Sequence, residues 1–183
     1  MKSLTQMKIQ NKRVQLVLAM SSILLALVTV SFIVGTGTVS AQQMETINAS
    51  LAVSAPVDKV WSIVSDVDKD PQYWSVYKDI RNLNKTSNII ERNATLNVNN
   101  ANAHQIITLH PKDSIILNQT ECPITGIRTM TLSPSANNSI QTKIDVSWNI
   151  DLSGVPLIGQ GFAKDGIFKA TEEALNKIAE AAK

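Results

Sequence analysis

The chain has 183 residues, one cysteine and a formal net charge of +2, from 17 basic and 15 acidic residues. Four of the basic residues, Lys2, Lys8, Lys12 and Arg13, precede residue 14, and no acid precedes Glu45. The basic character therefore belongs to the leader, and the remainder gives no ground for nucleic-acid binding. Cys122, alone, excludes an internal disulfide and a cysteine zinc site, and reads as a small semi-buried apolar residue.

In chain order, Val14 to Val34 (VQLVLAMSSILLALVTVSFIV) is uncharged and apolar, with the basic flank before it and GTGTVSAQQ after it. This pattern makes residues 1–41 a secretory signal or a signal-anchor. Val39-Ser40-Ala41 resembles a processing site, which favours cleavage. The apolar run, residues 14–34, is also near the ~20 residues that span a bilayer, which favours an anchor. Both readings place residues 42–183 outside the cytoplasm, either secreted or held at the membrane, since the basic flank stays inside. That part is about 140 residues long, a usual size for one domain with one core.

Met44–Val53 alternates, with Ile47, Ala49, Leu51 and Val53 on one face, as a half-buried strand does. Pro56 and Asp58 then suit the start of a helix, and Val57, Val60, Trp61 and Val64 follow at helical spacing to about Ser65. The stretch Asp66 to Pro71 ends it, and Gln72–Tyr77 reads as a short helical turn or loop. A meander follows, with expected strands Val76–Leu83, Ile89–Val98, His104–His110, Ser114–Glu121, Ile127–Ser133 and Ser139–Ile150, separated by turn-forming segments. The last of these alternates cleanly, which fits an antiparallel sheet with one covered and one wet face. Gly154–Gly161 reads as a breaker, and a helix is expected from about Phe162 to Ala182 with Phe168, Thr171, Leu175, Ile178 and Ala182 as its stripe.

Five N-x-S/T sequons start at Asn48, Asn84, Asn93, Asn118 and Asn137. All fall on expected solvent-facing positions, as glycan acceptors must. Unmodified surface asparagines would be placed in the same way.

The order of strand, short helices, long meander and final helix resembles the helix-grip superfamily of START-like lipid-transfer domains and the polyketide cyclase/dehydrase and lipid-transport family (SRPBCC). The residues that carry the likeness are the opening INASLAVSAPVDKVWSIVSDVDKDPQYW and the closing GVPLIGQGFAKDGIFKATEEALNKIAEAAK. The opening encodes a strand–helix corner, so it speaks for fold more than for function. The resemblance implies an α+β domain over residues 42–183, with a curved antiparallel sheet wrapped around a long C-terminal helix. It also implies an apolar cavity between the two that takes a small hydrophobic ligand or lipid. Leu96, Val98, Leu117, Met130, Leu132, Val146 and Trp148 would line it from the sheet, and Phe162, Phe168 and Leu175 from the helix. An ordinary core would use the same residues.

Few groups suggest chemistry. His104 and His110 share a strand face but lie on the order of 20 Å apart, too far for one metal. Glu121 and Arg128 have inward parity near the Cys122–Gly126 connection. They are read either as a buried pair holding a ligand head group or as a strand-end pair at the rim. Trp74 and Tyr77 would gate an entrance or staple the corner to the sheet. Asp66, Asp68 and Asp70 alternate like a calcium loop but lack its glycine and distal glutamate, so a helix-ending acidic turn is expected. No nucleophile elbow, phosphate loop or HExxH occurs, so neither a cofactor nor a metal is expected. The reading is ligand binding without chemistry. The alternatives are a cyclase/dehydrase-type enzyme of the same fold, which needs a polar residue inside the cavity, and a cell-envelope interaction module with a closed interior.

Overall fold

The computed structural model describes residues 44–135 and 138–183. Residues 1–43, with the expected leader, and Asn137 lie outside the described residues. So does the expected spanning segment 14–34; among the described residues no helix is long and apolar enough to cross a membrane.

The strands are β1 (Met44–Val53), β2 (Tyr77–Lys85), β3 (Ile89–Leu96), β4 (Asn102–His110), β5 (Ser114–Thr120), β6 (Thr125–Ser135) and β7 (Asn138–Asp151). Between β1 and β2 come α1 (Val57–Val64), a 3-10 turn (Val67–Lys69) and α2 (Asp70–Tyr73); α3 (Leu157–Ala181) closes the chain. All seven strands form one antiparallel sheet in the order β1-β7-β6-β5-β4-β3-β2. From β2 to β7 each strand pairs with the next, as short connections favour. The first strand instead pairs with the last, so the α1–α2 segment carries the chain from one sheet edge to the other.

One face of this sheet is the core. Ile47, Ile90, Ile107, Ile115, Leu117, Met130, Leu132, Ile144, Val146 and Ile150 are all buried on it. The period-2 alternation along each strand puts them there. In α1 the buried residues are Val60 and Val64, and in α3 they are Thr171, Ala174, Leu175 and Ile178. Helix α3 packs chiefly on β1, α1 and α2. Its first half carries Leu157, Ile158 and Phe162 in water, at 86%, 88% and 80% exposure. The corner is tied down by the Thr142 hydroxyl, which donates to the Ala55 carbonyl at 2.7 Å.

Three expectations need correction. Helix α3 begins at Leu157, not Phe162, because Pro156 sits at its N-cap and the two following glycines cost only ~1 kcal/mol each, which packing elsewhere in the helix outweighs. Strand β3 stops at Leu96 because Asn99 and Asn100 take positive φ of 55° and 50° and turn the chain; asparagine tolerates that region better than most residues. Strand β5 stops at Thr120, since Glu121 also has a positive φ of 59°. At Gly126, φ is 139° and a Cβ would collide with the Asn149 carbonyl, so only glycine fits where β6 begins beside β7.

Candidate ligand site

The antiparallel register sets Ile47, Trp148, Arg128, Leu117 and Ile107 side by side across β1, β7, β6, β5 and β4. One pleat along, Ala49, Val146, Met130 and Ile115 make a second row. Leu132 faces Ile144 in a third row. The structure therefore brings Leu117, Arg128, Met130, Leu132, Val146 and Trp148 together on one continuous inner wall. Leu175 is buried on the facing helix, and Leu96 is half-buried at the end of β3.

Four other candidates lie elsewhere. Val98 is 64% exposed in the turn after β3. Glu121 is exposed in the turn after β5 and makes no pair with Arg128. Phe162 and Phe168 are on exposed parts of α3, which turns Ile167 rather than Phe168 toward the core. The cause is local in each case. Two fall outside their strands, and two sit at α3 positions turned to water, next to Ala163 and Ile167, which pack against the core.

Trp74 and Tyr77 are buried at 2% and 4% exposure, so they are interior anchors of the corner and not an outward gate. The ring of Trp74 meets that of Trp148 edge to face, with centroids 6.3 Å apart and planes at 79°. Trp148 Nε1 donates to the Thr171 hydroxyl at 3.0 Å, which in turn donates to the Ile167 carbonyl at 2.7 Å. Sheet and α3 are thereby joined at the pair of tryptophans.

Two arginines are buried on the inner face, and their surroundings differ. Arg92 Nε donates to Gln105 Oε1 at 2.8 Å, Nη1 to the Val67 carbonyl at 2.9 Å and Nη2 to Asp70 Oδ2 at 2.6 Å. Gln105 Nε2 donates onward to the Tyr77 hydroxyl and to Gln119 Oε1, and Gln119 Nε2 donates to the Ile124 carbonyl. This polar row is paired from end to end, as a buried network must be to avoid a penalty. Arg128 is 2% exposed, and its guanidinium carbon lies 4.0 Å from the Trp74 ring centroid and 5.5 Å from that of Trp148. Its Nε and Nη1 are buried with no hydrogen-bond partner among the described residues. The arginine is thus held by ring faces while at least two of its donors stay unused.

The inward parity of Arg128 is readable from the strand, but the Asp70–Arg92–Gln105–Gln119 row is not foreseen by the sequence expectations. Its signal is present: Arg92 shares parity with Ile90 and Ala94, and Gln105 with Ile107. A polar residue in an apolar alternation marks a buried pair.

The other groups in which the sequence suggests chemistry are paired or exposed. Asp66 pairs with Lys69 and Asp68 with Lys85, while Asp70 takes Arg92, so the three aspartates serve three different cations. His104 Nε2 lies 3.0 Å from Glu91 Oε1 on the outer face, and His110 is exposed. Burial raises the pKa of the Cys122 thiol, which donates to the Ile124 carbonyl; a thiol held protonated is a poor nucleophile. Among the described residues no cluster of three His, Cys, Asp or Glu could hold a metal. A groove on the outer face, lined by Asn48, Ser50, Thr129, Thr131, Asp145 and Ser147, has hydroxyls and amides, and its one charge, Asp145, is paired with Lys143.

Solved structures settle the architecture. The chain has a helix-grip fold. It superimposes on the Zhui aromatase/cyclase from Streptomyces sp. R1128 with a TM-score of 0.64 at 15% identity, covering 76% of this chain and 94% of that one. A protein from Thermus thermophilus gives 0.64 at 11% identity, over 75% and 97% of the two chains. The di-domain ARO/CYC StfQ from the steffimycin biosynthetic pathway gives 0.62 at 14% identity, over 77% of this chain and 51% of its own. No family model and no curated protein matches the chain. At such identities the likeness concerns the fold, and activity has to be argued from the site.

Proposed function

We propose that this helix-grip domain binds a small hydrophobic ligand or lipid between the inner face of its sheet and α3, and does so outside the cytoplasm. The observation that carries the binding reading is a mismatch of partners. The inner face carries buried apolar rows from β3 to β7, interrupted by the Arg92–Gln105–Gln119 row and by Arg128, whereas α3 packs chiefly on β1, α1 and α2. A molecule seated between the helix and those strands would exchange water for apolar surface. Fold kinship with proteins named aromatase/cyclases is in keeping with this. The location rests on the leader, with its basic flank and its apolar run of residues 14–34.

A cyclase-type activity is the second reading, favoured by one observation: Arg128 puts unused hydrogen-bond donors on an apolar wall, where they would polarise a carbonyl oxygen. Mass spectrometry of lipids extracted from full-length protein purified from its own cells tests the binding reading. A stoichiometric hydrophobic compound is the expected result; protein free of any such compound, and failing to take up a hydrophobic fluorophore, would overturn it. Protease added to intact cells tests the location, with digestion of the folded part expected.

A further inference from the structure

We propose that Arg128, Trp74 and Trp148 form the head-group end of the site, and that the ligand is a hydrophobic monoanion, a carboxylate on an apolar body. This deepens the binding reading and rests on it.

The two buried arginines differ in how their charge is met. Burying a charge is costly unless it is paired and hydrogen-bonded. Arg92 meets that condition within the chain, through a carboxylate, an amide and a backbone carbonyl. Arg128 is buried equally deeply and has only the faces of two indoles. Cation–π contact offsets part of the desolvation, but a ring face brings neither an acceptor oxygen nor a negative charge. The N–H groups lie in the guanidinium plane, and Nε and Nη1 have no acceptor. A group that completes this site has to bring acceptor oxygens and a negative charge.

No side chain of the described structure does so. Asp70, the acid nearest in role, is committed to Arg92 at 2.6 Å. Glu121, the acid that sequence parity offers, is turned to water. The charge to be matched is single, which points to a monoanion. A planar carboxylate fits an arginine edge bounded by two rings, since the two oxygens approach in the plane of the guanidinium. Leu117 and Met130 flank Arg128 on the wall, so the rest of the molecule meets apolar surface directly beyond its head.

The test compares a fluorescent polyene fatty acid with its methyl ester on the full chain, by fluorescence titration. Wild-type protein should bind the acid at least about tenfold more tightly than the ester, as a charge-assisted hydrogen bond in a buried site would give. Arg128→Met should lose the preference for the acid, its acid and ester affinities becoming about equal. Arg128→Lys, which keeps charge but not the planar fork, should retain part of it. Equal binding of acid and ester by wild type would overturn the anionic head group while leaving hydrophobic binding intact; this comparison needs no variant to fold. Binding of neither would sink the ligand-binding reading itself. A lysophosphatidic acid of the same chain length forms a third arm, and tighter binding of it than of the fatty acid would replace the carboxylate by a phosphate.

Discussion

Asp70 and Arg92 meet at 2.6 Å although 22 residues separate them, with both side chains out of water. Asp70 opens α2 and Arg92 lies mid-way along β3, so the pair clamps the helical crossover onto the sheet near the edge it has just reached. Around it the Val67 carbonyl, Gln105 and the Tyr77 ring, whose centroid is 5.2 Å from the guanidinium carbon, complete the enclosure. Removing one member leaves an uncompensated buried charge. Asp70→Asn is expected to cost ~3–5 kcal/mol of unfolding free energy. Urea denaturation measures it, and a loss under ~1 kcal/mol would mean that the clamp is solvated in solution.

Arg128 should respond in the opposite way. With no carboxylate to lose, replacing it by methionine exchanges an unpaired buried charge for an apolar side chain of similar length, which is often neutral or stabilising. Arg128→Met is expected to leave the melting temperature of ligand-free protein unchanged or raise it, while Arg92→Met lowers it. A large loss in both would show that Arg128 is a structural cation with a partner in solution.

The tryptophans should rank by depth. Trp74 is 2% exposed and stacks on Arg128, so Trp74→Ala should cost ~3–5 kcal/mol. Trp61 lies on the stripe of α1 but is only half-buried, and Trp61→Ala should cost about half as much. Thr171→Val, which strips the acceptor from Trp148 Nε1, should cost ~1–3 kcal/mol. Equal effects of the two tryptophan truncations in denaturant titrations would put the rotation of α1 in error.

Hydrogen bonds from Lys85 and then Asn82 hold the Asp68 carboxyl below its ordinary pKa. A depressed carboxylate contributes stability above its unfolded pKa, and that contribution fades as pH falls through the lower, folded value. The pair should therefore support the fold at neutral pH and be lost only below about pH 4. Both side chains are close to half exposed, so screening keeps the effect under ~1 kcal/mol. Asp68→Asn should flatten this part of the acid limb in a pH series of thermal melts, and an unchanged limb would show that the pair is broken by solvent.

Residues 42–183 should fold without residues 1–41. The core runs from Ile47 to Ala182 among residues of this segment. A chain beginning at Gln42 is expected to be soluble and to melt in one cooperative step by circular dichroism; aggregated or unfolded material would move the boundary.

Much of the architecture was legible because it follows from local periodicity. Alternation in β1 and β7 and the helical spacing of Val57, Val60 and Val64 depend on neighbours a few residues apart, and β1 begins and ends where the pattern says. The parity that turns Leu117, Met130, Val146 and Trp148 inward is likewise local. Long-range pairing decided the rest. Nothing within β1 says that it joins β7 and not β2, since that choice belongs to the closure of the sheet. Nothing near Asp70 distinguishes a solvated helix-ending turn from one half of a buried ion pair, because its partner is on another element. The same holds for Arg128: parity turned it inward, but only the fold set it between Trp74 and Trp148, left Glu121 outside, and so produced a buried cation whose charge the described chain does not answer. Periodicity reports which face a side chain takes, whereas the identity of the group it meets there depends on strands and helices distant in sequence.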